Sequence, residues 1–539
     1  MGVCIQLTLS KSITQKEWES VYEETLQLVN AFPLVCIQKS VEFRGINVMC
    51  LVKTVEKERI YGRNNEIHSM EWTAAGDSVT LRVAENYTLE RNLIKEEIPD
   101  AGDAILGLLP FYLPEPDRYG MDNPICNNVY RKWGEKTQGE PYHIYMVAIG
   151  CLIEERLGEK AFLYGDITRA QCVEAVKLAN QCLKEPIGIP LQCDMEGFYK
   201  RVDRLPLTEQ EKMFVFEQLY LGTKNAEFGK FLRRSFSEDA CNSYWRIRFD
   251  RNFLRYMQEY LLWGFDLERL CGFADELVHK GKLDYEKFVI RIMDAKLHLK
   301  EKNCEGVLKI NQDEARPYSV ATLFAQVIFG GASNKKVDRY IPVEKIRNSL
   351  RRGLQGKCEV DKLIDAYLAK EAEEGEVHVS LEDSPEDKKA AARKDTAETF
   401  RQLIEQKREE MNKEAYEYDI YKYQDLLQFE PGNTITPKIE GFLKQLAAFC
   451  AGLLEEEEYK SLMEKEPIVR CKWLAEENDA VLIRDSDWGK IFEDVEKNEN
   501  SFVRYYPLMR LNLNNDAAYY AAIALLVNDD LYAYLGNLK

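Results

Sequence analysis

Residues 3–32 read VCIQLTLSKSITQKEWESVYEETLQLVNAF, and within them the hydrophobic repeat changes from two residues to about 3.6. Val3, Ile5, Leu7 and Leu9 alternate as one face of a strand. Thr14-Gln15-Lys16-Glu17 then carries the capping-box pattern, in which a hydroxyl and a carboxylate three residues apart satisfy each other's backbone N–H groups at a helix start. Trp18, Val21, Tyr22, Thr25, Leu28, Val29 and Phe32 share one face of the helix that follows, and Pro33 ends it.

Outward from this strand and helix, two β-rich runs at 34–43 and 48–53 are split by Gly45 as in a hairpin. Further extended stretches are expected around Trp72 and at 79–83, with Gly76-Asp77 as the turn between them. From about residue 96 the pattern is helical. Residues 142–157 (YHIYMVAIGCLIEERL) run to Gly158, a C-terminal cap, and Thr168 opens a helix along Cys172, Val176, Ala179 and Leu183. Thr208-Glu209-Gln210-Glu211 is another capping box, and Ser237, with Glu238 and Asp239 behind it, starts a long helix toward Gly264. No fixed repeat period links these helices, which favours a bundle over a solenoid.

Residues 371–387 (EAEEGEVHVSLEDSPED) hold eight acidic and no basic residues and read as a solvated, flexible linker. Beyond it, 397–426 reads as a charged helix. Thr436-Pro437 opens another with Ile439, Leu443, Leu446, Cys450 and Leu453 on one stripe, and 517–535 reads as core helix. The expected fold is α+β and predominantly helical, in four parts: a small N-terminal α/β unit at 1–95, a central helical bundle at 96–370, the acidic linker at 371–396, and a mainly helical C-terminal domain at 397–539.

A length of 539 residues is compatible with roughly three domains at about 150 residues each. Hydrophobic residues make up 45% of the chain and charged residues 30%, which excludes the composition of disorder. No apolar run reaches the ~18 residues of a membrane-spanning helix, and no membrane partner is expected. MGVCIQLTLS lacks the pattern of a secretory signal, and Gln6 stands where myristoylation wants Ser or Thr. The fourteen cysteines are scattered, with no CxxC, so free thiols in a reducing cytoplasm are expected and Cys172 is read as a small buried hydrophobe.

Chemistry-bearing motifs are few. Gly222 and Gly229-Lys230 are too far apart for a P-loop, and Phe231 replaces its hydroxyl. Gly330 to Lys336 combines paired glycines with two lysines, but an ordinary surface turn has the same composition. Asp485, Asp487 and Glu496 suggest a metal loop, yet Lys490 occupies the position where calcium loops need glycine, so solvated acids at a helix start explain them as well. His68, His143, His279, His298 and His378 lack ligand spacing, and no GxSxG occurs. No catalytic residue, cofactor or metal is assigned.

Two segments oppose the formal net charge of −18. Residues 335–357 (KKVDRYIPVEKIRNSLRRGLQGK) hold eight basic and two acidic residues. Residues 233–255 interleave six arginines with Phe236, Tyr244, Trp245, Phe249 and Phe253. A local positive excess on an acidic chain is the footprint of an anion site. The candidate anion-binding residues are Lys335, Lys336, Arg339, Arg347, Arg351 and Arg352 in the first segment and Arg248, Arg251 and Arg255 in the second. In the second segment arginines beside rings would suit single-stranded nucleic acid. The competing reading puts those rings in the core and pairs the arginines with Asp239, Asp250 and Glu259.

Three function classes follow. An intracellular binding or scaffold protein engaging an anionic partner (nucleic acid, nucleotide or acidic protein) ranks first, because no catalytic motif is present. An enzyme acting on a phosphate-bearing substrate, clamped by Lys335, Lys336, Arg351 and Arg352, is second. An acidic neutralising, immunity-type protein that masks a basic target is third.

Overall fold

The computed structural model describes residues 3–61, 67–93, 98–99, 101–113, 124–299, 339–376, 420, 422–478, 481–511 and 516–537. The fold is α+β and predominantly helical. Its strands are β1 (Ile5–Ser10), β2 (Leu34–Phe43), β3 (Ile46–Lys53), β4 (Lys57–Tyr61), β5 (Ile67–Asp77), β6 (Val83–Glu90), β7 (Val129–Trp133) and β8 (Ala161–Gly165). The first helices are α1 (Gln15–Ala31), the single turns α2 (Leu109–Tyr112) and α3 (Pro124–Asn127), and α4 (His143–Leu157). Then come α5 (Arg169–Asn180), α6 (Met195–Asp203), α7 (Glu209–Leu219), α8 (Ala226–Ser235), α9 (Glu238–Leu262), α10 (Leu267–His279), α11 (Tyr285–Asp294), α12 (Val343–Leu354) and α13 (Val360–Glu376). The last are α14 (Pro437–Leu453), α15 (Glu457–Met463), α16 (Pro467–Glu477), α17 (Asp485–Lys497), α18 (Phe502–Met509), α19 (Asp516–Val527) and α20 (Asp529–Asn537).

The chain divides into two compact units, one of Met1–Val21, Leu93–Gly134 and Met146–Lys388, the other of Tyr22–Asn92, Glu135–Tyr145 and Lys389–Lys539. In the first, β1 is the middle strand of an antiparallel sheet in the order β7-β1-β8. Ile5, Leu7 and Leu9 are buried, and so are Thr8 and Ser10 on the opposite side, because the central strand is covered on both faces. Thr8 meets its burial by donating to the Ala104 carbonyl at 3.2 Å. Gly165 ends β8 at φ 115, where a Cβ would stand 2.6 Å from the Cys4 carbonyl oxygen. The helices from α6 to α13 surround an aromatic core that includes Phe198, Phe216, Phe228, Trp245, Phe249, Tyr260 and Phe288.

The helix starts follow the local signals. Glu17 accepts from the Thr14 N–H at 2.8 Å, and the Thr14 hydroxyl accepts from the Glu17 N–H at 3.2 Å. Thr168 with Gln171 and Thr208 with Glu211 close the same box, and Ser237 caps α9 through the Ala240 N–H.

The second unit contains an antiparallel sheet in the order β3-β2-β5-β4, with β6 on β5. Arg44 (φ 52) and Gly45 (φ 81) form the two-residue hairpin turn between β2 and β3; left-handed backbone at both positions matches the strand twist. Residues 79–83 are not a strand. β5 continues through Asp77, whose carboxylate accepts N–H bonds from Val79 (3.0 Å) and Thr80 (2.7 Å), so the turn falls after Asp77 and β6 starts only at Val83. Buried residues of the sheet, among them Val48, Cys50 and Leu51, belong to one core with Leu443, Leu474, Trp488, Phe492 and Leu525 from the C-terminal helices.

Of the charged helix expected at 397–426, residues through 419 and Tyr421 lie outside the described ones, and Tyr423–Gln428 is a 3-10 turn. Residues 517–535 fall on two helices, α19 and α20, because Asn528 accepts from the Leu531 N–H at 2.9 Å and caps the second. The acidic run at 371–387 begins inside α13, which extends through Glu376, and the rest of it lies outside the described residues. Among the described residues no helix is long and apolar enough to cross a membrane.

Candidate anion-binding site

Helix α12 carries three of the basic residues selected from sequence, Arg347, Arg351 and Arg352, and a fourth, Lys345, that was not selected. It forms around Ile346, Leu350 and Leu354, which recur at helical spacing and are buried. It ends where Gln355 turns left-handed (φ 49) ahead of Gly356 (φ 80). Gly353 lies against α10, and a Cβ there would stand 2.5 Å from Cys271 Sγ and 3.0 Å from the Glu268 carbonyl oxygen. Only a glycine permits that approach, and it sets the exposed face of α12 in place.

That face bears an open depression of about 610 Å³ lined by Pro342, Glu344, Lys345, Asn348, Arg351 and Arg352. Arg351 is held by Asp361, with Nε 2.9 Å from both carboxylate oxygens, and Arg352 Nε stands 3.1 Å from Glu268. Both guanidinium groups remain accessible, at 50% and 67% exposure. Hydrogen bonds from Arg351 and Arg347 hold the Asp361 carboxyl below the usual carboxylate range.

Arg347 points inward. It is buried and bonds Asp361 (3.0 Å) and Asp365 (2.7 Å), which lie one turn apart on α13, so it is an anchor between two helices. Arg339 donates to the Leu261 (3.2 Å) and Phe265 (2.7 Å) carbonyls at the C-terminal end of α9, where burial lowers its guanidinium below the ordinary value. Lys335 and Lys336 lie outside the described residues.

The second arginine segment is largely interior. Tyr244, Trp245, Phe249 and Phe253 are core residues. Arg248 is buried, pairs with Glu217, and donates to the Tyr256 hydroxyl at 3.1 Å with its guanidinium 4.8 Å from that ring's centre. Arg251 is exposed, and Arg255 pairs with Glu259 at 3.8 Å. Asp250 is taken by Lys280 and Lys282. The long helix expected from Ser237 is interrupted at Asn252, whose extended backbone (φ −159, ψ 89) kinks α9.

The acids near 485 open α17: Asp487 bonds the side chain and N–H of Arg484, and Glu496 pairs with Arg44. Among the described residues no group of three or more His, Cys, Asp or Glu is placed to hold a metal ion. Cys172 is buried, and the neighbouring Cys151 thiol is the main cause that holds its own thiol well above the ordinary value.

One constellation had no local signal. Lys296, with a left-handed backbone (φ 54), places its ammonium 2.8 Å from the Tyr367 hydroxyl and against Glu371. Glu371 also meets His298 Nε2 at 2.8 Å, and Tyr367 donates to Asp294 at 3.1 Å. Burial opposes ionisation of Glu371, but the hydrogen bonds from Lys296 and His298 outweigh it and keep the carboxyl below its ordinary range. Its members come from segments more than 70 residues apart, which pattern reading does not join.

No protein-family model matches this chain, and neither a curated protein nor a solved structure shows significant similarity to it.

Proposed function

We propose that this is a binding or scaffold protein that engages an anionic partner through the exposed face of α12, with Lys345, Asn348, Arg351 and Arg352 as contacts. The observation that carries the reading is the 610 Å³ depression, where three cationic side chains accompany one carboxylate, Glu344, on a chain of net charge −18. The ion pairs of Arg351 and Arg352 do not oppose it. Exposed pairs contribute only about 0–1 kcal/mol, so a polyanion can exchange for Asp361 and Glu268 at small cost. Nucleic acid is the polyanion favoured, since a short cationic helix face with an amide suits a row of phosphates. A reducing, cytoplasmic compartment fits the described cysteines, all free thiols.

The test is fluorescence anisotropy of a labelled single-stranded oligonucleotide, titrated over a range of salt, with the wild type and the Lys345→Ala/Arg351→Ala/Arg352→Ala variant. The variant should bind more weakly, and its plot of log affinity against log salt should be shallower by about 2, since each lost phosphate contact removes ~0.7 from the slope. Unchanged affinity and slope in a folded variant, or no binding by the wild type, would overturn the proposal.

A further inference from the structure

A second, smaller hollow of about 170 Å³ lies within the helical unit, between α8, α9 and α10. Its apolar wall is Phe236, Trp245, Tyr260, Phe265 and Phe273, all buried. Trp245 stands edge-on to Phe265 with ring centres 5.3 Å apart, and Tyr260 is tilted against Phe265 at 5.0 Å. The space suits a single six-membered ring with one small substituent, because a cavity of about 150 Å³ takes a benzene.

Arg233 gives this aromatic hollow a definite polarity: its guanidinium stacks 4.7 Å from the Phe265 ring centre and makes a long 3.4 Å bond to the Gly264 carbonyl. No ion pair neutralises it among the described residues. The other charged groups at the rim, Arg269 and Glu238, neutralise each other. The pocket therefore combines ring-sized apolar space with one uncompensated positive charge.

We propose that this pocket binds a small aromatic carboxylate, with the ring against the aromatic wall and the carboxylate on Arg233. The proposal does not depend on the reading of α12. A guanidinium matches a carboxylate with two parallel hydrogen bonds, whereas a cationic ring would meet repulsion and a neutral one would forgo the charged contact.

Isothermal titration calorimetry of the full chain with sodium benzoate tests it, with benzamidine and benzyl alcohol as the cationic and neutral counterparts. Benzoate should bind saturably with one site per chain, benzamidine should give no saturable heat, and benzyl alcohol should bind about tenfold more weakly or worse. Arg233→Gln, an exposed change that should leave the thermal midpoint unaltered, should weaken benzoate about tenfold or more, with Arg233→Lys in between. Absence of saturable heat with benzoate up to about 10 mM, equal affinity for benzamidine, or unchanged affinity in Arg233→Gln would each overturn the proposal.

Discussion

Side chains of one type meet different ends here according to what faces them. Arg248 and Arg352 are both cations on helices of one basic stretch or the other, yet the first is buried against Glu217 and the second is 67% exposed. His143 shows what burial does to a titratable group. It begins α4 with Nδ1 2.7 Å from the Thr137 hydroxyl, Nε2 has no partner among the described residues, and burial pushes its imidazole down to about 4. The unfolded chain takes up that proton near the ordinary value of about 6.5, the folded chain only near 4. Stability from neutral His143 is therefore complete above about 6.5 and declines as pH falls toward 4, by up to ~1.4 kcal/mol per pH unit. Urea midpoints measured at neutral and at mildly acid pH should fall further for the wild type than for His143→Gln. Equal losses in the two proteins would show that the histidine is not held neutral.

At the scale of elements, starts and stops were legible wherever the signal is local. Thr14, Thr168, Thr208 and Ser237 cap helices at the expected residues because a cap needs only a side chain and an N–H two or three positions on. The kink in α9 was not read. Asn252 accepts from the Arg255 N–H at 3.2 Å and so caps the second half of that helix from within. An asparagine inside a helical run was the available signal, but the aromatic periodicity on either side concealed it. Asn252→Ala should lose this cap and about 1 kcal/mol of stability, measured by chemical denaturation. A more stable variant would mean that the asparagine imposes the kink against the preference of the surrounding helix.

On the scale of the whole molecule, thiol reactivity reports the two cores together. Cys50, Cys126, Cys151, Cys172, Cys193, Cys241, Cys271 and Cys471 are buried, and Cys4, Cys36, Cys182, Cys358 and Cys450 are half-buried. Burial raises the thiol of Cys241 to about 11 and that of Cys271 to about 12, which withholds the thiolate that reacts. A disulfide reagent applied to the native protein should therefore leave the buried set unmodified while the half-buried ones react slowly. Denatured without reductant, the protein should titrate all fourteen cysteines. A lower denatured count would reveal disulfides and overturn the reducing compartment.

The sequence by itself determined the α+β, mainly helical class, the strand–helix opening, the β2–β3 hairpin and the helix starts at Thr14, Thr168, Thr208, Ser237 and Thr436. Each of these rests on residues a few positions apart, through strand or helix periodicity, turn conformation or capping. The tertiary structure decided which charges are spent and which remain at the surface. Arg248 finds Glu217 across 31 residues and Lys296 finds Glu371 across 75, while the aromatic wall of the small pocket draws on α9, α10 and the residues just before each. Whether a cation is an anchor or a binding group depends on the carboxylate folded against it and the water excluded around it, and neither is encoded in the residues beside it in the chain.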